Sequence, residues 1–394
     1  MKKFSINKLQ NVFLFLYLFF LSFLNFTPFY LISAILLICI TFLKIIRNRK
    51  IILTKYFYFE LFFIVYNVIY YILGWSINAE HTLNAIRTLI LNLSINLAIM
   101  NSIEKKEDII EILKWFIPIA VFSCIFVILY TGGKGSNGRL AHGYPRPFDD
   151  TSYTSMEFAS WALYAGVFAL FSSFKKEGKN KYIIPMIIYW VVIIWSGSRK
   201  CIVFGIILQL SVYLFCKGNK KNLKIFLKKA FMILVVLCIS VVVIMKNSTI
   251  YNIVGYRFIG YLNKTESSAV TRDDMKKTAI SYIKLKPIKG YGLNTFRDIS
   301  KYKTWSESNY LELAFGNGIF ITIIYYIFLI YIIISLMKNY ENDKINIIFA
   351  IILIMIILFD SVSMSYQGRL ETFLITISSM ILYFDKMKKN NGEQ

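Results

Sequence analysis

The sequence predicts an all-α protein that crosses a membrane about twelve times. Three observations carry that prediction. Of 394 residues, 57% are hydrophobic and only 17% charged, whereas soluble domains lie near 45–50% apolar with about 25% charge. The apolar residues come in runs of roughly 18–22, the length that spans a bilayer as helix. Lysine and arginine are also sorted between alternate connections, as they are in multi-pass membrane proteins.

The chain opens "MKKFSINKLQNVFLFLYLFFLSF". The charged start resembles a signal peptide, but the apolar stretch is long and bulky and has no small-residue cleavage site. It is therefore kept as the first span. The spans fall at about 9–26, 28–46, 55–75, 82–101, 109–130, 154–174, 182–197, 199–216, 229–246, 309–337, 344–361 and 371–385. One set of connections, from Lys2 and Lys3 through the Lys217–Lys229 run to Lys386, Lys388 and Lys389, holds 25 Lys and Arg. The alternate short connections hold six: Lys134, Arg139, Arg146, Arg199, Lys200 and Arg369. Basic residues beside a span resist translocation. This places both termini in the cytoplasm and the chain in the cytoplasmic (inner) membrane. The net charge of +23 is partly this signature and requires no nucleic acid.

Two larger loops then lie outside within one integral membrane domain, 1–394. The first, 131–153, reads "TGGKGSNGRLAHGYPRPFDDTSY". Its glycines and prolines mark irregular backbone, and it gathers Arg139, His142, Arg146, Asp149 and Asp150. The second, 247–309, carries eleven Lys and Arg against five Asp and Glu. Long loops escape the orientation rule, so this charge is permitted, and anion binding is one use for it. Inside it, "VTRDDMKKTAISYIKLKP" predicts a helix over 272–286. Thr271 would be its N-cap, Asp274 its N3 acid, and Val270 with Met275 a hydrophobic staple. Pro287 and Gly290 end it. Arg272 then stands at the helix N-terminus, where free N–H groups attract an anion, although Asp273 and Asp274 partly fill that role.

The junction of the seventh and eighth spans reads "WSGSRK". Arg199 there is either a snorkelling side chain at a helix end or a cation facing the headgroup of a lipid-linked anion. Cys39, Cys124, Cys201, Cys216 and Cys238 lie in or beside apolar spans without paired spacing and read as core residues, not as disulfides or metal ligands. No CxxC, HExxH, Walker, GxGxxG or DxD pattern occurs, which leaves zinc chemistry and cytosolic nucleotide chemistry without a visible home.

In order along the chain come an arginine in the first large loop, "SGSRK" at a helix junction, "YRFIGYLNKTESSAVTRDDMKKTAISYIKLKPIKGYGLNTF", and "SESNYLELAFGNGIF". This series resembles the O-antigen polymerase/O-antigen ligase superfamily of bacterial surface-polysaccharide assembly, over about 139–320. The resemblance implies a metal-independent glycosyltransferase with no cofactor, working on the outer face with an undecaprenyl-diphosphate-linked sugar donor. It also implies a possible flippase and chain-length regulator of the same pathway as partners. Arg139, Arg199, Arg257 and Arg272 stand where the family keeps its arginines, and Gly290 and Gly292 match its glycine turn. Ligases carry a histidine before the last large loop enters its span. Glu307 occupies that place here, before Ser308, which favours a polymerase over a ligase.

Physical reasoning runs the same way. A departing diphosphate gathers negative charge that a metal or fixed cations must stabilise. Arginine supplies permanent, two-pronged donors suited to phosphate, and four of them are suited to the task. The acceptor hydroxyl gains nucleophilicity if a base takes its proton. Glu307 is the first candidate, with His142 and Asp149 behind it, while a plain ion pair of Glu307 with Lys301 or Lys303 is the bland alternative. Tyr291, Tyr302 and Trp305 are candidates for stacking on sugar rings. A flippase for the same lipid-linked sugars is the competing class. No internal repeat is visible, and the ionisable residues within spans are few (Glu60, Arg87, Glu157, Asp360), which weighs against transport.

Overall fold

The structure is a computed structural model. It describes residues 6–24, 27–135, 138–145, 154–174, 182–217, 246, 255, 259–260, 267–339 and 343–390. Among these residues the regular structure is helical and no strand occurs. The helices are α1 (Ile6–Phe23), α2 (Pro28–Asn48), α3 (Lys55–Ile72), α4 (Ala79–Ser102), α5 (Lys106–Thr131), α6 (Ser155–Phe174), α7 (Ile183–Trp195) and α8 (Arg199–Lys217). After them come α9 (Ser267–Leu285), α10 (Phe296–Ile299), α11 (Asn309–Lys338), α12 (Lys344–Phe359) and α13 (Arg369–Asn390).

Eleven of the twelve expected spans coincide with a helix, and the ninth, 229–246, lies outside the described residues but for Lys246. Among the described residues, five helices are long and apolar enough to cross a membrane: α1, α2, α4, α5 and α11. Phe158–Phe174, Ile183–Trp195 and Lys344–Phe359 are apolar but shorter. Residues such as Ile46, Leu129, Ile184 and Ile327 are more than half exposed, a surface that water does not tolerate at this scale and lipid does. The chain is a multi-pass membrane protein.

Local chemistry sets the helix ends. Asn78 caps α4 by accepting the His81 N–H at 3.1 Å, and Asp343 caps α12 by accepting the Ile345 N–H at 3.1 Å, each satisfying an otherwise orphaned donor. Pro28 opens α2, where its missing N–H costs nothing.

The chain divides into two compact units. One comprises 1–11, 37–108 and 267–394, the other 12–36 and 109–266. In the first, α3 packs on α4, α4 and α3 on α13, and α11 on α12 and α13, with α9 laid against α11. Buried amides tie these helices. Asn96 Nδ2 donates to Glu60 Oε1 at 2.7 Å, and Asn92 Nδ2 donates to the Gln367 carbonyl at 3.3 Å. Such bonds hold helices together where lipid leaves no hydrophobic drive between them. Lys106 Nζ joins Asp385 Oδ1 (2.7 Å), Asp343 Oδ2 (3.2 Å) and Asn346 Oδ1 (3.0 Å) at the opposite end of α12 from Asp360. In the second unit, α6 packs on α7 and α8, and the Tyr189 hydroxyl donates to the Ile117 carbonyl at 2.6 Å.

Candidate functional site

The segment from α9 to the start of α11 forms one folded piece within the first unit. Its centre is a small core of Met275, Ala279, Ile283, Tyr291, Phe296, Ala314 and Phe315. The "GYG" turn is fixed by a break in α11. Gly318 has φ 81° and ψ 166°, which interrupts the helical ladder and releases the carbonyls of the preceding turn. The Tyr291 N–H takes the Phe315 carbonyl and the Gly292 N–H takes the Gly316 carbonyl, both at 2.8 Å, while the Ile319 N–H donates to the Pro287 carbonyl at 2.7 Å. Glycine is required for this contact. A Cβ on Gly290 would lie 2.5 Å from the Phe315 oxygen, and one on Gly318 would lie 1.9 Å from the Ile288 oxygen.

Helix α9 begins at Ser267, not 272. Thr271 is therefore inside the helix and caps nothing, and Val270 is exposed while Met275 is buried, so the staple is not made. The residues before Thr271, "SSAV", continue the helix backwards, and a Ser or Thr cap is only a local signal. Arg272 accordingly lies in the second turn and not at the N-terminus. Asp273 pairs with Lys277 one turn on, at 2.9 Å. Asp274 Oδ2 takes Lys301 Nζ at 2.8 Å and the Tyr302 hydroxyl at 3.0 Å. The bonds from Lys301 and then Tyr302 hold the Asp274 carboxyl below the usual aspartate range.

Glu307 sits where α11 is about to start, between residues anchored inside. Ser306 and Ser308 are buried. The Ser306 N–H donates to Glu312 Oε2 at 3.0 Å, and the Ser308 hydroxyl donates to the Asp360 carbonyl at 3.1 Å. Asn309 satisfies its whole side chain. Its Nδ2 donates to Asp360 Oδ2 (3.1 Å) and Tyr326 Oη (2.8 Å), and its Oδ1 accepts the Ser365 and Tyr366 N–H groups, each at 3.1 Å. Glu307 itself has φ 61°, a left-handed conformation uncommon for a side-chain-bearing residue. The backbone thereby turns its carboxylate outward, 37% exposed, where Oε2 lies 3.3 Å from Arg272 Nε. The pairing with Lys301 or Lys303 is not found. Lys301 is taken by Asp274, and Glu307 faces Arg272 instead.

The three aromatic candidates are not alike. Tyr291 is buried, with its ring stacked on Phe315 at 4.7 Å and its hydroxyl donating to the Tyr282 carbonyl at 3.1 Å. It is a core residue and not an open platform. Tyr302 is part of the Asp274 cluster. Trp305 is exposed, with the Arg297 guanidinium 4.9 Å from its ring and its Nε1 donating to Asn294 Oδ1 at 2.7 Å.

In the second unit, Arg139 Nε donates to the Ser196 carbonyl at 2.9 Å and the Leu140 N–H to the Trp195 carbonyl at 3.1 Å. The first large loop is thus fastened to the "WSGSRK" junction. Arg199 is the first residue of α8, and no acid stands in that first turn. His142 is half-buried three residues after Arg139, and its N–H donates to the Arg139 carbonyl at 3.4 Å. Arg257 and Asp149 lie outside the described residues. Sequence reasoning missed Asn309, Asp360 and Tyr326, because a network spanning 51 residues has no local pattern. It also missed His81 Nδ1 with Asp298 Oδ2 at 3.0 Å.

These features define a polytopic helical membrane protein in which a basic, partly helical segment presents a guanidinium–carboxylate pair. Residues 184–326 match the family model described as O-antigen ligase, so this stretch is similar to that family. The matched stretch includes Arg199, Arg257, Arg272, Glu307 and Gly318, and leaves out Arg139 and His142. No curated protein matches the chain.

Proposed function

We propose that the protein is a glycosyltransferase that polymerises lipid-diphosphate-linked oligosaccharide repeat units into a capsular, exopolysaccharide or O-antigen chain at the outer face of the cytoplasmic membrane. The observation that carries the reading is Glu307. Within a stretch matching the O-antigen ligase family, it fills the ligase histidine's place and stands against Arg272.

In the proposed step, a sugar hydroxyl of the incoming unit attacks the anomeric carbon of the growing glycan. The bond from that carbon to the diphosphate oxygen breaks, and its electron pair leaves with undecaprenyl diphosphate. Glu307 takes the hydroxyl proton. The arginines that the family resemblance marks, Arg139, Arg199, Arg257 and Arg272, are the candidate cations for the diphosphate, whose growing charge permanent, forked donors match. A diphosphate that binds Arg272 draws the guanidinium from Glu307. The carboxylate is then free to meet the acceptor hydroxyl, so donor binding would ready the base. His142 and Asp149 are the reserve candidates, and Tyr302 and Trp305 the sugar-facing ones. Both large loops, 131–153 and 247–309, would lie outside. The flippase and chain-length regulator of the pathway would be the neighbours.

The test is purified protein in vesicles given a lipid-linked repeat unit in EDTA, with products sized on a gel. A ladder supports polymerisation by fixed cations. A ladder only after a divalent metal is restored would overturn the arginine mechanism, and transfer to a non-repeat acceptor would make the protein a ligase.

A further inference from the structure

The turn that ends α9, Leu285–Lys289, has a surface that neither the core nor the proposed reaction explains. Leu285 and Ile288 are 73% and 76% exposed, and Lys284, Lys286 and Lys289, which are exposed too, stand among them. This turn abuts the kink of α11, where the Pro287 carbonyl receives the Ile319 N–H. Ile319 is also where the exposed face of α11 begins. From Glu312 to Gly318 every residue is buried, whereas Ile319, Phe320, Ile323, Ile327, Ile330 and Ile334 are exposed. In a membrane span such a stripe is the lipid-facing side.

Neighbouring contacts fix the depth. Tyr66 Oη reaches the Asn317 carbonyl at 3.3 Å, so the kink stands level with Tyr66 of α3. That helix continues to Ile72, a rise of about 9 Å, and Ile72 and Leu73 are themselves exposed. The turn therefore lies beside apolar, exposed side chains of α3 and α11 and below the end of α3. Lys289 Nζ lies 4.4 Å over the Trp75 ring, and tryptophan and lysine together mark the boundary between headgroups and hydrocarbon.

We infer that the Leu285–Lys289 turn is inserted into the leaflet on the Asn309 side of α11, with Leu285 and Ile288 in the hydrocarbon and Lys284, Lys286 and Lys289 binding anionic phospholipid headgroups. The exposed apolar stripe of α11 continues onto the turn, and the three ammonium groups complement phosphate. Helix α9 is then anchored at its C-terminal end, which sets the height of Arg272 above the bilayer. This inference rests on the membrane reading and not on the reaction.

The test attaches a nitroxide to cysteine at position 288 in a full chain whose native cysteines are replaced by serine or alanine, reconstituted in phosphatidylcholine vesicles with phosphatidylglycerol. Oxygen, which concentrates in hydrocarbon, should relax the label at 288 several-fold more than a water-soluble nickel chelate. A label at Ser281, exposed on α9, should show the reverse. Nickel prevailing at both positions overturns the insertion. A photoreactive phenylalanine at 288 with all native cysteines kept gives a second reading, since it should gain the mass of one phospholipid, and gaining none overturns the insertion equally. For the headgroups, the wild type should retain phosphatidylglycerol several-fold over phosphatidylcholine through detergent exchange. The Lys284→Gln/Lys286→Gln/Lys289→Gln variant should lose that preference. Equal retention of both lipids by the wild type, or an unchanged preference in the variant, overturns the lysine site.

Discussion

Arg272 Nε and Glu307 Oε2 lie 3.3 Å apart, both substantially exposed, and they join the second turn of α9 to the threshold of α11. As an ion pair this contact is worth about 0–1 kcal/mol, so neither residue is needed to hold the fold. Glu307→Gln should leave membrane abundance and thermal aggregation unchanged. It should nonetheless cut polymer formation by roughly 10²–10⁴, the usual cost of losing a general base. A normal ladder from Glu307→Gln would pass the role to His142 or Asp149.

Arg199 opens α8, and a cation at a helix N-terminus faces the positive end of the dipole. Its charge is therefore not there to serve the helix dipole. Arg199→Ala should abolish polymer without loss of protein from the membrane. Arg199→Lys should rescue poorly, because an ammonium keeps the charge and loses the forked geometry. Full activity in the lysine variant would reduce Arg199 to a helix-end anchor. Arg139 has a structural bond to the Ser196 carbonyl, so Arg139→Ala should also loosen the loop, seen as faster proteolysis near 131–145.

The Asp274–Lys301–Tyr302 cluster predicts an insensitivity to pH. Lys301 depresses the Asp274 carboxyl. A depressed acid contributes stability that is present above its unfolded pKa, about 4, and lost as pH falls through the folded value. Hydrogen exchange over 301–303, corrected for intrinsic rates, should therefore match at pH 5 and pH 8. It should quicken in Asp274→Asn at both. A marked change between pH 5 and 8 in the wild type would show that another group governs the segment.

The membrane helices were legible because their signal is local: a run of apolar residues names its own helix whatever it packs against. The site was legible only where one residue's character decides its role. Glu307 stands at the surface, as a glutamate entering a span should. Its partner was not readable, because Lys301, Lys303 and Arg272 are all near in charge and composition, and only tertiary packing gives Lys301 to Asp274. Tyr291 carries the same letters as an exposed aromatic, and its burial depends on Phe315, 24 positions away. The start of α9 failed for a related reason: a threonine cap competes with four preceding residues willing to be helical, and the sequence does not weigh one against the other.

The same locality leaves the topology to experiment. Every span before residue 217 has its helix, but the ninth, 229–246, decides which side the second large loop occupies, since one span more or fewer inverts it. The sorting of 25 basic residues against six predicts that it crosses. Reporter fusions after Lys220 and after Lys264 should therefore report opposite sides of the membrane. The same side for both would remove the ninth span and carry the Arg272–Glu307 pair into the cytoplasm.

Gly318 offers the sharpest separation of strain from crowding. Its φ of 81° and ψ of 166° lie in a region that essentially only glycine occupies, and forcing another residue there costs of order 1–3 kcal/mol. A Cβ would also stand 1.9 Å from the Ile288 oxygen, a backbone atom held by the turn that receives the Ile319 N–H. Gly74 provides the control: its φ is +65°, yet nothing lies within 4 Å of a Cβ there. Gly74→Ala should cost only the backbone penalty, about 1 kcal/mol, and remain folded and active. Gly318→Ala should do much worse, because relief of the clash must move the Pro287–Ile288 turn or reclose α11. Either movement withdraws the Phe315 and Gly316 carbonyls from Tyr291 and Gly292 and loosens the loop that presents Arg272. The measurement is the fraction of each variant that stays monodisperse in detergent after graded heating, beside its polymer ladder. Equal behaviour of the two alanine variants would mean that the kink is not what holds the turn.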